Sequence, residues 1–115
     1  MHRMRIVLAC LVVVIGIISG LGAAAAYHQI GAGIDSCGTW TADRSNPRGV
    51  AALQDEQWVV GFLSGVGFVN QDGDDPLIGV DAEAVWAWID NYCHANPLAS
   101  IARAAAQFYM AHPHQ

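Results

Sequence analysis

The stretch WIDNYCHANPLA, residues 88–99, closes an apolar, helix-like run with Cys93 and places Asn96-Pro97 just beyond it. How Cys93 is read decides the fold. It can be a nucleophile, a metal ligand, a buried thiol or half of a disulfide. Helical spacing over 82–93 puts Ala82, Val85, Trp86, Trp88, Ile89, Tyr92 and Cys93 within about 160° of a helical wheel. Glu83, Ala87, Asp90 and Asn91 take the other side. Asp81 is a good N-cap, and Glu83 falls in the first turn, where the helix dipole favours a negative charge. Cys93 therefore points into the core with the aromatic residues. Nothing beside it lowers its pKa as a catalytic thiol requires. His94 diverges from Cys93 by about 100° on the helix and stands four residues from Asp90, within pairing reach.

The partner for Cys93 follows from the start of the chain. Arg3 and Arg5 precede an uncharged run from Ile6 to Ala26 that ends in four alanines. A basic stretch, an apolar stretch and small residues suited to an Ala-x-Ala cleavage site describe a signal peptide over 1–26. The expected cut follows Ala26, or else Ala25. The alternative is a membrane anchor formed by residues 6–26. Cys10 has too little apolar sequence before it, and too much after it, for a lipoprotein site. Export leaves two cysteines, Cys37 and Cys93, in an oxidising compartment, and an even pair there reads as one disulfide. A domain this small buries only about 60% of its unfolded surface, and closing so long a loop adds roughly 4 kcal/mol.

All ten acidic residues of the 115-residue chain lie after residue 26, with only three arginines (Arg44, Arg48, Arg103) and no lysine. The exported part thus carries a formal charge of −7. Such a surface repels nucleic acid and acidic membranes, so neither is an expected partner.

Residues 27–47 lack periodicity and carry Gly, Ser, Asn and Pro, so the expectation is an irregular arm holding Cys37 and Trp40. A helical domain over 48–115 follows. In its first helix, 48–70, Trp58, Val59, Phe62, Leu63, Val66 and Val69 share one face, and Gly61, Ser64 and Gly67 form a small-residue side open to another helix. Residues 70–80 form a loop rich in Asp, Gly and Pro. Asn96 as N-cap with Pro97 at the first helical position starts a last helix over 97–111, with Leu98, Ile101, Ala102, Ala105, Phe108 and Tyr109 on its apolar face. The fold class is all-α, a small three- to four-helix domain with one disulfide.

The other candidate motifs have plainer readings. GFLSGVG at 61–67 lacks the Gly-x-Ser-x-Gly spacing of a nucleophile elbow. DGDD at 72–75 lacks the ligand ladder and terminal glutamate of an EF-hand loop. His112 and His114 in HPHQ make a weak metal pair at a chain end. The expectation is no enzyme activity, no cofactor and no metal. Four tryptophans are the notable excess, and Trp40, Trp86 and Trp88 are the candidate partner contacts. Trp86 and Trp88 differ by about 200° on the wheel, so one of them should rim the surface.

The whole order of parts resembles a known family. An arm cysteine, the EQWVVGFLSGVG helix, an Asp-rich loop, the VDAEAVWAWIDNYC helix and NPLASIARAA are similar in layout to the HdeA/HdeB family of small periplasmic acid-stress chaperones. The resemblance covers residues 37–110 as a pattern, with VVGF (59–62) and VDAEAV (80–85) as the matching helix segments. It implies an all-helical fold, a Cys37–Cys93 disulfide, a periplasmic location and binding of unfolded proteins in acid. The chain departs from that family in lacking lysine and in its extra tryptophans. A weaker resemblance, to Tai-type immunity proteins of type VI secretion, rests on the Gly-Phe-x-x-Gly helix and the late Asn-Pro, and implies one specific effector as partner. Those proteins carry more cysteines.

Acid chemistry fits the first resemblance. Near pH 2 the carboxylates are protonated, because ordinary Asp and Glu titrate near 4. Arginines, histidines and the new amino terminus then bring the exported part to +8. Charge pairing becomes repulsion, which loosens helix packing or a dimer. The expectation is an exported protein-binding domain, with a homodimer among its forms, or else a periplasmic structural protein.

Overall fold

The computed structural model describes residues 27–70, 73 and 75–112. The segment 1–26 expected to be a signal peptide, Asp72 and Asp74 of DGDD, and His114 lie outside the described residues. Among the described residues four helices make the domain: α1 (Cys37–Arg44), α2 (Val50–Val69), α3 (Ala82–Ala95) and α4 (Ile101–Ala111), with a 3-10 turn at Ala32–Ile34 before them. Among the described residues the sole β-type feature is an isolated antiparallel bridge between Ser36 and Ser100. No described helix is long and apolar enough to cross a membrane.

The all-α class and the disulfide are as expected. Cys37 and Cys93 are bonded, with Cα atoms 4.7 Å apart and a sequence separation of 56. Both are fully buried within a cluster that includes Val59, Leu63, Val85, Ile89, Ile101 and Phe108. Asp81 caps α3 by accepting from the Ala84 amide at 2.8 Å. α4 buries Ala102, Ala104 and Ala105, whose small side chains bring its backbone close to its neighbours.

Three expectations need correction. The 27–47 segment is not irregular. Ser36 caps a two-turn helix by accepting from the Thr39 amide, and that helix buries Cys37 and Trp40. Tertiary burial overrides the weak propensity of Gly38 and Thr39. The last helix starts at Ile101, not at 97. Asn96 ends α3 instead, its amide donating to the carbonyls of Tyr92 and Cys93 and its side chain donating to the Tyr92 carbonyl. Ser100 caps α4 through the Arg103 amide at 3.1 Å. Leu98, assigned to the apolar face, is 97% exposed. The reason lies across the fold. Residues 97–101 turn and are bonded to the start of α1, where Cys37 N donates to Ala99 O at 2.7 Å, Gly38 N to Pro97 O at 3.0 Å and Ile101 N to Asp35 O at 2.9 Å.

The small-residue side of α2 is the third correction. Gly61 and Gly65 have open space where a Cβ would stand, so no helix covers them. Only Gly67 is used: a Cβ there would come within 2.6 Å of Asp75 Oδ1, so the 75–80 turn packs where only hydrogen fits. The apolar face of α2 fades toward its end, where Val69 is exposed.

Candidate functional site

Two charged features sit where α1 crosses the first half of α2. The first is a node centred on Arg44, in the last turn of α1. Its Nε donates to Asp90 Oδ1 at 3.0 Å and one terminal nitrogen donates to Asp90 Oδ2 at 2.7 Å, the two-pronged grip of an arginine on a carboxylate. The other terminal nitrogen donates to Glu56 Oε1. Trp40 Nε1 donates to the same Asp90 Oδ1 at 2.7 Å, and the Arg44 guanidinium lies 5.7 Å from the Trp40 ring centre. The hydrogen bond to Asp90 is the main influence holding the guanidinium above its ordinary pKa; burial opposes it and Glu56 supports it. The node joins α1, α2 and α3.

The second feature is an acidic pocket of about 640 Å³ between the Ala32–Ile34 turn and α2, into which Asp35, Asp43 and Asp55 project beside Trp58. Asp55 is only 3% exposed. Its Oδ2 has no hydrogen-bond partner. Burial first, then the charges of Asp43 and Asp35, push the Asp55 carboxyl up to about 6. Trp58 forms one wall. Its Nε1 donates to Ile30 O at 3.0 Å and its ring stacks on Phe62 with centroids 5.4 Å apart. A Cβ on Gly33 would overlap the Trp58 ring, so glycine is required for the turn to lie under the indole.

The tryptophans named as partner contacts fare differently. Trp40 is fully buried, bonded to Asp90, and offers no surface in the folded state; its candidacy as a contact is corrected by that burial. Trp86 and Trp88 are both half-buried, flanking the Val85–Ile89 stripe, so neither alone forms the rim. Trp86 Nε1 donates to the Glu56 carbonyl at 3.2 Å. Trp88 stacks on Tyr92 and meets Phe108 and His112 edge-on. His112 itself lies over Phe108, centroids 4.2 Å apart. Asp90, assigned to the solvent side and to His94, is instead taken by Arg44 and Trp40.

Apolar side chains remain on the surface. Ile30, Ile34, Val50, Leu53 and Met110 are all exposed. Ile34, Tyr27 and Met110 line an open cleft of about 660 Å³ between the amino-terminal segment and α4. Among the described residues no group of three or more His, Cys, Asp or Glu is arranged to hold a metal ion.

The sequence reading missed Arg44, Glu56 and Asp90 as one unit, and Asp55 as a buried acid. A signal for the node existed. With Cys37 bonded to Cys93 and the two helices antiparallel, the residue three after Cys37 meets the residue three before Cys93. That pairs Trp40 with Asp90, and Arg44 lies one further turn along. Comparison with protein-family models, with curated proteins and with solved structures returned no match.

Proposed function

We propose that this chain is an exported, non-enzymatic protein-binding domain that holds unfolding proteins when acid loosens its helices, in the manner of the HdeA-like chaperones it resembles. The observation that carries this reading is the Arg44 node. Three helices are tied by attraction between one guanidinium and two carboxylates, and protonation of those carboxylates removes the attraction while Arg44 keeps its charge. Trp40 lies against the node, Trp86 bonds to the Glu56 carbonyl, and Val50 and Leu53 are exposed on the helix that carries Glu56. The disulfide keeps an opened domain tethered, so its apolar surface is offered without the chain coming fully apart.

A pH series tests it. Tryptophan emission and hydrodynamic size are followed from pH 7 to 2, and suppression of a client protein's aggregation is measured at each step. The expected result is a red shift, expansion and suppression together below about pH 4, the range in which ordinary carboxylates titrate. A domain that stays closed at pH 2, or that opens without suppressing aggregation, overturns the reading.

A second reading, a Tai-type immunity protein with one effector, is favoured by the acidic pocket beside Trp58, which is already formed in the folded state. It calls for tight binding at neutral pH and none of the acid response.

A further inference from the structure

We infer that the pocket between the Ala32–Ile34 turn and the first half of α2 receives a basic side chain, arginine above all, from a partner polypeptide. The inference rests on the protein-binding reading but not on its acid trigger.

Three carboxylates line this cavity, and among the described residues none supplies a cation to it. Arg44 follows Asp43 in sequence, yet its guanidinium is committed to Asp90 and Glu56. Among the described residues no arginine or histidine forms a salt bridge with Asp35, Asp43 or Asp55. Lysine is absent from the chain.

The second observation is Asp55 itself. Its Oδ2 is a buried acceptor with no donor, on a residue 97% withdrawn from solvent that lines the cavity. Buried polar atoms nearly always have a partner, and a carboxylate oxygen without one bears a desolvation cost that a donor would relieve. The elevated titration of Asp55 reports that same cost.

The shape of the cavity selects the donor. A bare metal ion is a poor fit, because the acidic groups are not grouped as ligands. The walls include Ala32 and the Trp58 indole, which suit the aliphatic stem of a long side chain. Trp58 is fixed by its bond to Ile30, its stack on Phe62 and the Gly33 turn beneath it, so this wall stands without further ordering. Against carboxylates the planar guanidinium makes the forked hydrogen bonds that an ammonium cannot. The net negative charge of the exported part draws basic partners toward it.

The test is an NMR titration of the full chain as isolated, disulfide intact, at pH 7.5 and low salt. The probes are the peptide acetyl-Gly-Arg-Gly-amide, the same peptide with citrulline for arginine, and calcium chloride. The arginine peptide is expected to move the Trp58 indole signal and the amides of Gly31 and Ala32 in a saturable way. The neutral citrulline peptide is expected to bind at least tenfold more weakly. Asp55→Asn, which removes the charge and keeps the shape, is expected to weaken arginine binding tenfold, and Glu83→Gln on the distant α3 is expected to leave it unchanged. Equal binding of the two peptides, no effect of Asp55→Asn in a protein whose spectrum shows it folded, or calcium moving the same signals with no response to the peptide, each overturns the inference. Failure of holding at pH 2 bears only on the acid trigger, and failure here bears only on the pocket.

Discussion

Replacing Arg44 with methionine removes the node while keeping a side chain of similar length over Trp40. The expected loss can be built contact by contact. The two hydrogen bonds to Asp90 involve a side chain 39% exposed, so water and salt screen them, and together they contribute about 0.5–1 kcal/mol. Glu56 differs, because its side chain is only 8% exposed. Without Arg44 its charge is left buried and unpaired, which costs about 1–3 kcal/mol. The total expected at pH 7 is about 1.5–4 kcal/mol. In acid the carboxylates carry protons, there is no charge to strand, and the loss should shrink below about 1 kcal/mol. Urea unfolding followed by tryptophan emission measures both values, at pH 7 and at the lowest pH where both proteins still give a two-state curve. A loss under about 0.5 kcal/mol at pH 7 would refute the argument, since it sets Glu56 and Asp90 as requiring their cation. An equal loss at both pH values would refute it too, because the contribution would then be packing on Trp40 rather than charge.

Breaking the Cys37–Cys93 bond, by reduction or by replacing both cysteines with serine, should remove about 4 kcal/mol and lower Tm by on the order of 15–30 °C, as thermal melts with and without reductant will show. Asp55→Asn should stabilise the protein at pH 7. A carboxyl titrating at about 6 in the fold and near 4 unfolded costs up to about 3 kcal/mol at neutral pH. That cost is present above pH 6 and fades as the pH falls through 6 toward 4, so the wild type should gain stability on mild acidification and the variant should not. Denaturation curves at pH 5, 6 and 7 check both the sign and the window. Ser100→Ala should cost about 1 kcal/mol by stripping the cap of α4. Carbon chemical shifts decide the alternative: if Asn96→Ala frays residues 97–103 and Ser100→Ala does not, the helix begins at the Asn-Pro pair after all.

Periodicity carried the reading as far as periodicity reaches. α2 and α3 were legible because their apolar residues recur at helical spacing, and the disulfide because two cysteines in so small a domain have little else to do. α1 was not legible: CGTWTADR has no apolar face of its own, and only burial against α3 makes it a helix. The start of α4 was misplaced because Asn-Pro is a good local start signal, and local signals carry no information about the backbone bonds that draw residues 97–101 onto residues 35–38. The acids were legible in part. On a helical wheel Asp55 falls in the middle of the apolar arc of α2 and Glu56 beside its edge, so their burial could be read, whereas Asp90 is assigned to the solvent side of α3 and its bonds depend on how α1 lies across it.

The backbone crossing where Ser36 faces Ser100 has a bearing on when this protein becomes itself. The two serines begin α1 and α4 from one shared point, and the amides beside them donate in both directions across it. An emerging polypeptide that has reached α1 lacks the α3 it leans on until residue 95 has been made, and the backbone partner of Ser36 until residue 101 has followed. Compact structure is thereby postponed until most of the domain has been synthesised.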